Sequence, residues 1–213
     1  MNSRRLTAPP VSYMMIVILK MAKTSTRKEQ SHERIVRAAA RALRRHGYEG
    51  LGVADVMKAA GLTHGGFYAH FDSRDALLAE AADQAGAESI ERLSRAVAGA
   101  KPGKELAALI DAYLSERSLN APEQGLGCAI AAAGSEVPRQ HTGVRRAATR
   151  RIKDLIGLVE RQMPGWGKAG SRDKAMAILG CLVGTLLIAR SVDDPELSKA
   201  MRNATRRFLG AAG

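Results

Sequence analysis

The sequence predicts an all-α protein of about nine helices. Alanine, leucine and arginine dominate the composition and runs of β-branched residues are few, which favours helix over sheet. Apolar residues recur at helical spacing, and glycine and proline separate segments of helical length. Between residues 30 and 213 no useful length of chain alternates like a strand.

The first helix is predicted from its capping signals. Thr26 and Glu29 have the spacing of a capping box, which opens a helix to about His46, and Gly47 ends it. Ile35 and Leu43 fall on one face of this helix.

The next segment predicts a helix-turn-helix. A short amphipathic helix over Val53–Ala60 is followed by the turn Gly61-Leu62 and a second short helix, Thr63–His70, capped by Thr63. Phe67 and Phe71 are expected to face inward. Asp72 or Ser73 then caps a long helix that runs to about Val97.

The remaining predicted helices are Lys104–Leu119, Cys128–Val137, Thr142–Met163, Arg172–Arg190 and Pro195–Leu209. This organisation divides the chain into an N-terminal extension (1–25), a three-helix domain that contains the helix-turn-helix (26–72) and a larger helical domain (73–213).

The N-terminal extension imitates a signal peptide, because Arg4 and Arg5 precede the apolar stretch 11–19. Nine apolar residues are too few to span a bilayer, and no small-x-small cleavage site follows. We expect Met21 to be the biological start. A disordered tail and a membrane-contacting segment are the alternatives.

The charge predicts a polyanionic partner. The formal net charge is +12 and the pI is about 10.2, a balance that suits nucleic acid but also an acidic membrane surface. Cys128 and Cys181 each lie in an apolar run, which fits a reducing cytoplasm. No CxxC, zinc-type cluster, phosphate loop or hydrolase motif is present, so we expect no metal, no cofactor and no enzyme.

The stretch from Gly47 to Leu77 resembles the DNA-binding signature of the TetR family. The resemblance covers about 45 residues, from roughly Glu33 to Leu77, with the glycine turn, small hydroxyl and aromatic pair at the family's spacing. It implies a sequence-specific regulator, usually a ligand-released repressor that binds a near-palindromic operator as a homodimer. The rest of the chain matches the family only in helicity and length.

A helix-turn-helix presents the N-terminal residues of its second helix to base edges. Those residues here are Thr63, His64, Gly65 and Gly66. The two glycines would let the backbone approach DNA closely; the alternative is that this position simply requires small residues. The family commonly has Thr or Ser at Gly52, so one hydroxyl anchor for phosphate is missing.

Other residues are expected to contact phosphate. The resemblance implies this role for Tyr68 and His70, and for Arg74, where the family usually carries a lysine. Packing of Tyr68 on the first helix and a solvated Arg74 are the alternatives. Lys28, with Lys23 and Arg27, precedes the first helix as either a basic arm in the minor groove or a solvated tail.

The last two helices are the predicted dimer interface. The first is apolar or small on nearly every side and the second has an apolar stripe, so the resemblance implies an intersubunit four-helix bundle. Burial within one subunit is the alternative. The candidate residues are Gly180, Leu182, Gly184, Leu187, Leu197, Met201 and Phe208.

The effector site is weakly signalled. Aromatic residues are scarce after residue 77, so any pocket is expected to be aliphatic. Its candidate lining is Tyr113, Cys128, Ile130, Trp166 and Met176. Cys128 at a helix start could sense oxidants, although a buried small hydrophobe is the plainer interpretation.

Two other protein classes compete with a specific regulator. A nucleoid-type protein would bind DNA through phosphate neutralisation alone, without a preferred site. A membrane-surface protein would use residues 11–19 as its contact.

Overall fold

The computed structural model describes residues 26–163 and 165–211, and over these residues the all-α prediction is confirmed. Helix α1 is Arg27–His46, α2 is Val53–Ala59, α3 is the 3-10 helix His64–Ala69, and α4 is Arg74–Ala98. The chain continues with α5 (Glu105–Tyr113), α6 (Glu116–Asn120), a 3-10 turn (Ala121–Gln124) and α7 (Ala129–Ala133). A 3-10 segment (Gly134–Arg139) then leads to α8 (Thr142–Arg161), α9 (Ser171–Ser191) and α10 (Pro195–Ala211). The predicted extension 1–25, including Met21 and the apolar stretch 11–19, lies outside the described residues.

The predicted caps of the N-terminal helices form. Thr26 Oγ1 accepts from the Glu29 amide, and the Glu29 carboxylate accepts from the Thr26 amide at 2.8 Å. Gly47 ends α1 with a φ of 73°, a left-handed conformation that favours glycine. Ser73, rather than Asp72, caps α4 by accepting from the Ala76 amide.

Two predicted helices are broken where the sequence suggested continuity. Lys104–Leu119 divides into α5 and α6, because Ser115 caps a new helix by accepting from the Ser118 amide. Cys128–Val137 is shorter than predicted: Cys128 is the N-cap of α7, and after Ala133 the chain becomes a 3-10 segment that contains Pro138. Proline has no amide hydrogen to continue an α-helix.

The core consists of two clusters that share α4. The first joins α1, α2, α3 and the start of α4 to α7 and the start of α8, with Ile35, Leu43, Met57 and Leu77 fully buried. The second joins the rest of α4 to α5, α8, α9 and the end of α10. Because the first cluster includes Ala133, the three-helix unit packs directly on the helices that follow it.

Arg44 fastens α1 to the second half of the chain. It is 2% exposed, and its guanidinium donates to the carbonyls of Gly125 at 2.8 Å and Ala85 at 3.2 Å. The Glu88 carboxylate supplies the counter-charge. Both terminal nitrogens of the guanidinium therefore have partners, whereas its Nε has none among the described residues. A buried arginine is tolerated when a counter-charge and carbonyl acceptors compensate for its burial.

Helix α9 is long and apolar enough to cross a membrane by length and composition alone. Its buried residues, however, pack into the second core cluster, with Leu182 and Leu186 almost completely covered. Thr185 and Thr205 join α9 to α10 through a 2.8 Å hydrogen bond between their hydroxyls. Helix α9 is therefore a core helix in this fold.

Asp83 on α4 holds α8 through two arginines. Its carboxylate accepts hydrogen bonds from Arg150 and Arg151. Burial acts to raise the pKa of Asp83, but the hydrogen bonds from Arg151 and Arg150 outweigh it and hold the pKa below its usual value.

We expect Asp83→Asn to lower the free energy of unfolding by about 1–3 kcal/mol at neutral pH, because two charge-assisted contacts are lost. Since the folded pKa is lowered, this stabilisation is present above the unfolded pKa of about 3.9 and is lost as pH falls through the lower folded value. Urea unfolding from pH 7 to pH 3 measures both effects. Asp154→Asn, which removes a more exposed partner of Arg151, is the control and should cost under about 0.5 kcal/mol; equal losses in both variants would contradict the prediction.

Candidate nucleic-acid interface

The second helix of the helix-turn-helix is held by a compact aromatic base. Phe67 and Phe71 are each 3% exposed, and their rings stack with centroids 5.6 Å apart. The helix is 3-10 rather than α, with the Gly66 amide bonded to the Thr63 carbonyl at 3.1 Å. Two consecutive glycines weaken the preference for α-helix, which explains the tighter form.

The opposite side of α3 faces solvent. Thr63, His64 and Gly65 are exposed, and Tyr68 is 75% exposed with its ring edge-on to Phe67. Thr63 takes the N-cap position, but its side chain makes no capping hydrogen bond, so the predicted side-chain cap is wrong. The exposure of Tyr68 also excludes the alternative that it packs on the first helix.

The two glycines of α3 differ in what surrounds them. A Cβ added at Gly65 would meet no atom within 4 Å, whereas one at Gly66 would lie 3.7 Å from the Met57 methyl. A methyl group would therefore fit at both positions. Packing within the chain therefore does not require glycine at either position.

His70 lies at the end of α3 beside α1. Its Nδ1 is buried without a hydrogen-bond partner among the described residues, and its ring centroid is 6.1 Å from that of His32. Burial lowers the pKa of His70, and the neighbouring His32 and Lys28 act in the same direction. Lys28 is exposed, and with Arg27 it belongs to the first turn of α1. The prediction that these two residues precede the helix is therefore wrong.

Arg74 is exposed to solvent and at the same time supports the loop between α1 and α2 through its Nη2. Its guanidinium donates to the carbonyls of Tyr48 at 2.6 Å and Leu51 at 3.1 Å. On the other side of the loop, the Glu136 carboxylate accepts from the amides of Tyr48 and Glu49. Burial raises the pKa of Tyr48 to about 12, and Glu136 acts in the same direction. Gly52 is the N-cap of α2 and offers no side-chain hydrogen bond.

The predicted dimer residues fall on an exposed face, with one exception. Gly180, Leu187, Leu197 and Phe208 are exposed, and Gly184 and Met201 are half-buried. Met176 and Ile188 extend the same face of α9. Leu182 is 0% exposed in the second core cluster. Its assignment to the interface is wrong, because it points half a helical turn away from Gly180 and Gly184.

The five predicted effector residues do not form one pocket. Tyr113 and Cys128 are buried together in the second core cluster, with Ile130 half-buried against it. Trp166 is 63% exposed between α8 and α9, and Met176 is 44% exposed on the outer face of α9. A pocket of about 590 Å³ does open at another place, between the start of α5, the end of α8 and the end of α10.

Two residues that the sequence did not single out, Arg44 and Glu136, connect the helix-turn-helix unit to the residues between α6 and α8. An arginine among the many on α1 gives no signal of burial, and Glu136 is 88 residues from the amide it binds. Within the described residues no group of three or more His, Cys, Asp or Glu side chains could hold a metal ion.

Residues 35–81 match the family described as "Bacterial regulatory proteins, tetR family". No curated protein sequence matches the chain significantly. Among solved structures, a TetR-family transcriptional regulator from Cytophaga hutchinsonii superposes with a TM-score of 0.71 and 18% identity, covering 89% of this chain and 98% of that chain. A TetR transcriptional regulator from Chloroflexus aurantiacus gives 0.70 and 23%, covering 86% and 96%. One from Legionella pneumophila gives 0.67 and 18%, covering 87% and 98%.

These structural likenesses show a common fold, and the sequence match covers the helix-turn-helix itself. Together they show that the chain has the fold of these regulators and that its residues 35–81, which contain the helix-turn-helix, match the tetR family of bacterial regulatory proteins.

Proposed function

We propose that this protein is a ligand-released repressor that binds a near-palindromic DNA operator as a homodimer. The first support for this proposal is that one side of α3 is buried and the other is exposed. Its buried side, Phe67 and Phe71, fixes the helix on α1 and α2, while His64 and Tyr68 stand on the exposed side. His64 is suited to reading a base edge in the major groove, and Tyr68 to holding a phosphate.

Dimerisation is supported by the distribution of exposed apolar side chains. Among the described residues, large exposed hydrophobic side chains concentrate on α9 and α10, at Met176, Leu187, Ile188, Leu197 and Phe208. A contiguous apolar surface of this kind is typical of a protein interface. On α9 it surrounds Gly180 and Gly184, where an added Cβ would meet no atom within 4 Å. A second helix could therefore approach this face closely.

Release by a ligand requires a connection between the two halves of the chain. Residues 125–136 supply one, because the Gly125 carbonyl binds Arg44 and the Glu136 carboxylate binds the loop after α1. A ligand that moves this segment would reposition the recognition helices of the dimer. Binding would then shift the population toward a spacing that no longer fits successive major grooves.

A nucleoid-type DNA-binding protein is the second candidate, and the net charge of +12 favours it. It would bind all duplexes alike and lose affinity steeply as salt rises. The two functions differ in whether any DNA sequence is preferred.

Selection from random duplex DNA at roughly 0.15 M salt tests the proposal. We expect a near-palindrome to be enriched by the wild type. Tyr68→Ala should bind that operator roughly tenfold or more weakly while keeping the same base preference, since phosphate contacts position the protein. Tyr68→Phe is the matched control that removes only the hydroxyl. Enrichment of no sequence would favour the nucleoid-type function.

His64→Ala should also weaken operator binding, and it alone should relax the base preference, since a good base contact contributes about 1–3 kcal/mol of discrimination. Binding to a panel of single-base operator variants measures this effect. An equal loss on every variant for both His64→Ala and Tyr68→Ala would exclude His64 as a base reader.

Gly65→Ala should leave the free energy of unfolding within about 1 kcal/mol of the wild type, because the methyl group has open space. Operator affinity should nevertheless fall, because the methyl group would separate the backbone from the DNA. Gly66→Ala is the control: its methyl group faces Met57, so both folding and binding should survive. Unchanged affinity of Gly65→Ala would show that close backbone approach is not used.

Leu187→Glu should convert the dimer to a monomer, because a carboxylate would be buried in an apolar interface. Leu187 is 41% exposed in the single chain, so the fold itself should tolerate the change. Sedimentation gives the mass, and operator binding should weaken in parallel. Lys199→Glu, exposed on the opposite flank of α10, is the control for charge. A dimeric Leu187→Glu would place the interface elsewhere.

A further inference from the structure

A group of buried, poorly satisfied hydrogen-bond donors lies where α4, α5 and α9 meet residues 125–128. Tyr113 is 2% exposed, and its hydroxyl has no nitrogen or oxygen partner among the described residues; its side chain interacts instead with the thiol of Cys128. Cys128 is 3% exposed and belongs to the same core cluster. A buried hydroxyl that has only a weakly hydrogen-bonding thiol as its partner is poorly satisfied, which is unusual and costly in a folded protein.

Arg190 on α9 brings a positive charge to this group. Its Nε and Nη2 donate to the carbonyls of Leu119 at 3.1 Å and Ser118 at 2.7 Å. Its remaining nitrogen, Nη1, is buried without a partner among the described residues. A Cβ added at Gly127 would lie 3.5 Å from Nη2, which places the guanidinium beside the residue that precedes Cys128.

Arg92 on α4 adds a second cation. It is half-buried and makes no hydrogen bond or ion pair with the described residues. Burial lowers the pKa of both Arg92 and Arg190, and Arg92 acts in the same direction on Arg190. Burial also raises the pKa of Tyr113 well above its usual range, with Cys128 acting in the same direction. No carboxylate contributes to the shift at Arg190.

Two half-buried guanidinium groups that have no ion pair with a carboxylate among the described residues are costly unless an anion neutralises them. The surroundings indicate which kind of anion fits, because Leu93, Leu114 and Leu186 are buried in the same cluster. An aliphatic environment favours a ligand whose body is apolar and which carries a single charge at one end. A guanidinium also pairs well with the planar geometry of a carboxylate.

We propose that Arg92, Tyr113, Cys128 and Arg190 form the headgroup end of the effector site, and that its ligand is an organic carboxylate with an aliphatic body. This inference rests on the proposed ligand-released function and names the chemical class of its ligand. Ser89 Oγ donates to the Gly127 carbonyl at 2.8 Å, and the Gly125 carbonyl accepts a hydrogen bond from the Arg44 guanidinium. A carboxylate that engages Arg190 would therefore act on the same segment that holds α1.

Thermal unfolding of the full chain without DNA tests the inference. The probes are straight-chain carboxylates from acetate to decanoate, each compared with its neutral amide. At about 100 times Kd, the best carboxylate should raise Tm by roughly 5 °C or more, and its amide should not. Arg92→Gln should weaken that carboxylate roughly 10- to 100-fold, as expected for one lost charged contact. Tyr113→Phe should weaken it less and leave the unliganded Tm unchanged or higher.

Arg95→Gln is the matched control, because Arg95 is exposed on the same helix and pairs only with Glu91. It should retain the wild-type response to the carboxylates. Three results would overturn the inference: an equal rise in Tm with the carboxylate and its amide, an equal rise in wild type and Arg92→Gln, or no rise with a carboxylate of any chain length. Operator selection is measured separately and without ligand. If no operator is selected but the carboxylate still raises Tm more than its amide, the proposed function is rejected and the carboxylate site is retained.

Discussion

The structure depends on the buried guanidinium of Arg44. It joins α1 to α4 through the Ala85 carbonyl and Glu88, and to the residues after α6 through the Gly125 carbonyl. Removing the side chain would take the arginine donor from the buried Gly125 carbonyl and the counter-charge from Glu88, which would keep only its hydrogen bond from Gln84. Such a loss costs more than that of a surface ion pair. The position of the DNA-binding unit relative to the rest of the chain is therefore fixed by a polar contact inside an otherwise apolar junction.

In the helix-turn-helix beside that junction, the side chains that pack in the core differ from those that we propose contact DNA. Phe67 and Phe71 anchor α3, and Arg74 and Glu136 hold the loop before α2 from opposite sides. The Nη2 group of Arg74 donates to two backbone carbonyls and so stabilises the fold. The positive charge of the same guanidinium lies near the proposed DNA surface. Substitutions on the exposed side of α3 can change binding with little effect on stability, since they do not disturb the aromatic base.

The second half of the chain contains two apolar surfaces with different consequences. The inward side of α9 completes the core, and its outward side, centred on Gly180 and Gly184, remains available for a second copy of the chain. Arg190, on the inward side, adds a charge to this largely apolar pattern. Its Nη1 has no partner among the described residues, and we assign it to the proposed carboxylate site, so that site and the proposed dimer face would belong to one helix. Ligand binding and dimer geometry would therefore be mechanically connected.

The sequence by itself determined the helix-turn-helix, because capping residues, the glycine turn and the aromatic spacing are local signals that act within a few residues. It also determined the all-α class and the apolar character of α9. Only the tertiary structure decided which arginines are buried, that Leu182 faces the core, that α5 ends before Ser115, and that Trp166 and Met176 lie apart from Tyr113. Each of these outcomes depends on contacts between residues far apart in the chain. A helical pattern indicates that a residue can lie on a face, but the neighbours of that face are set by how the helices pack.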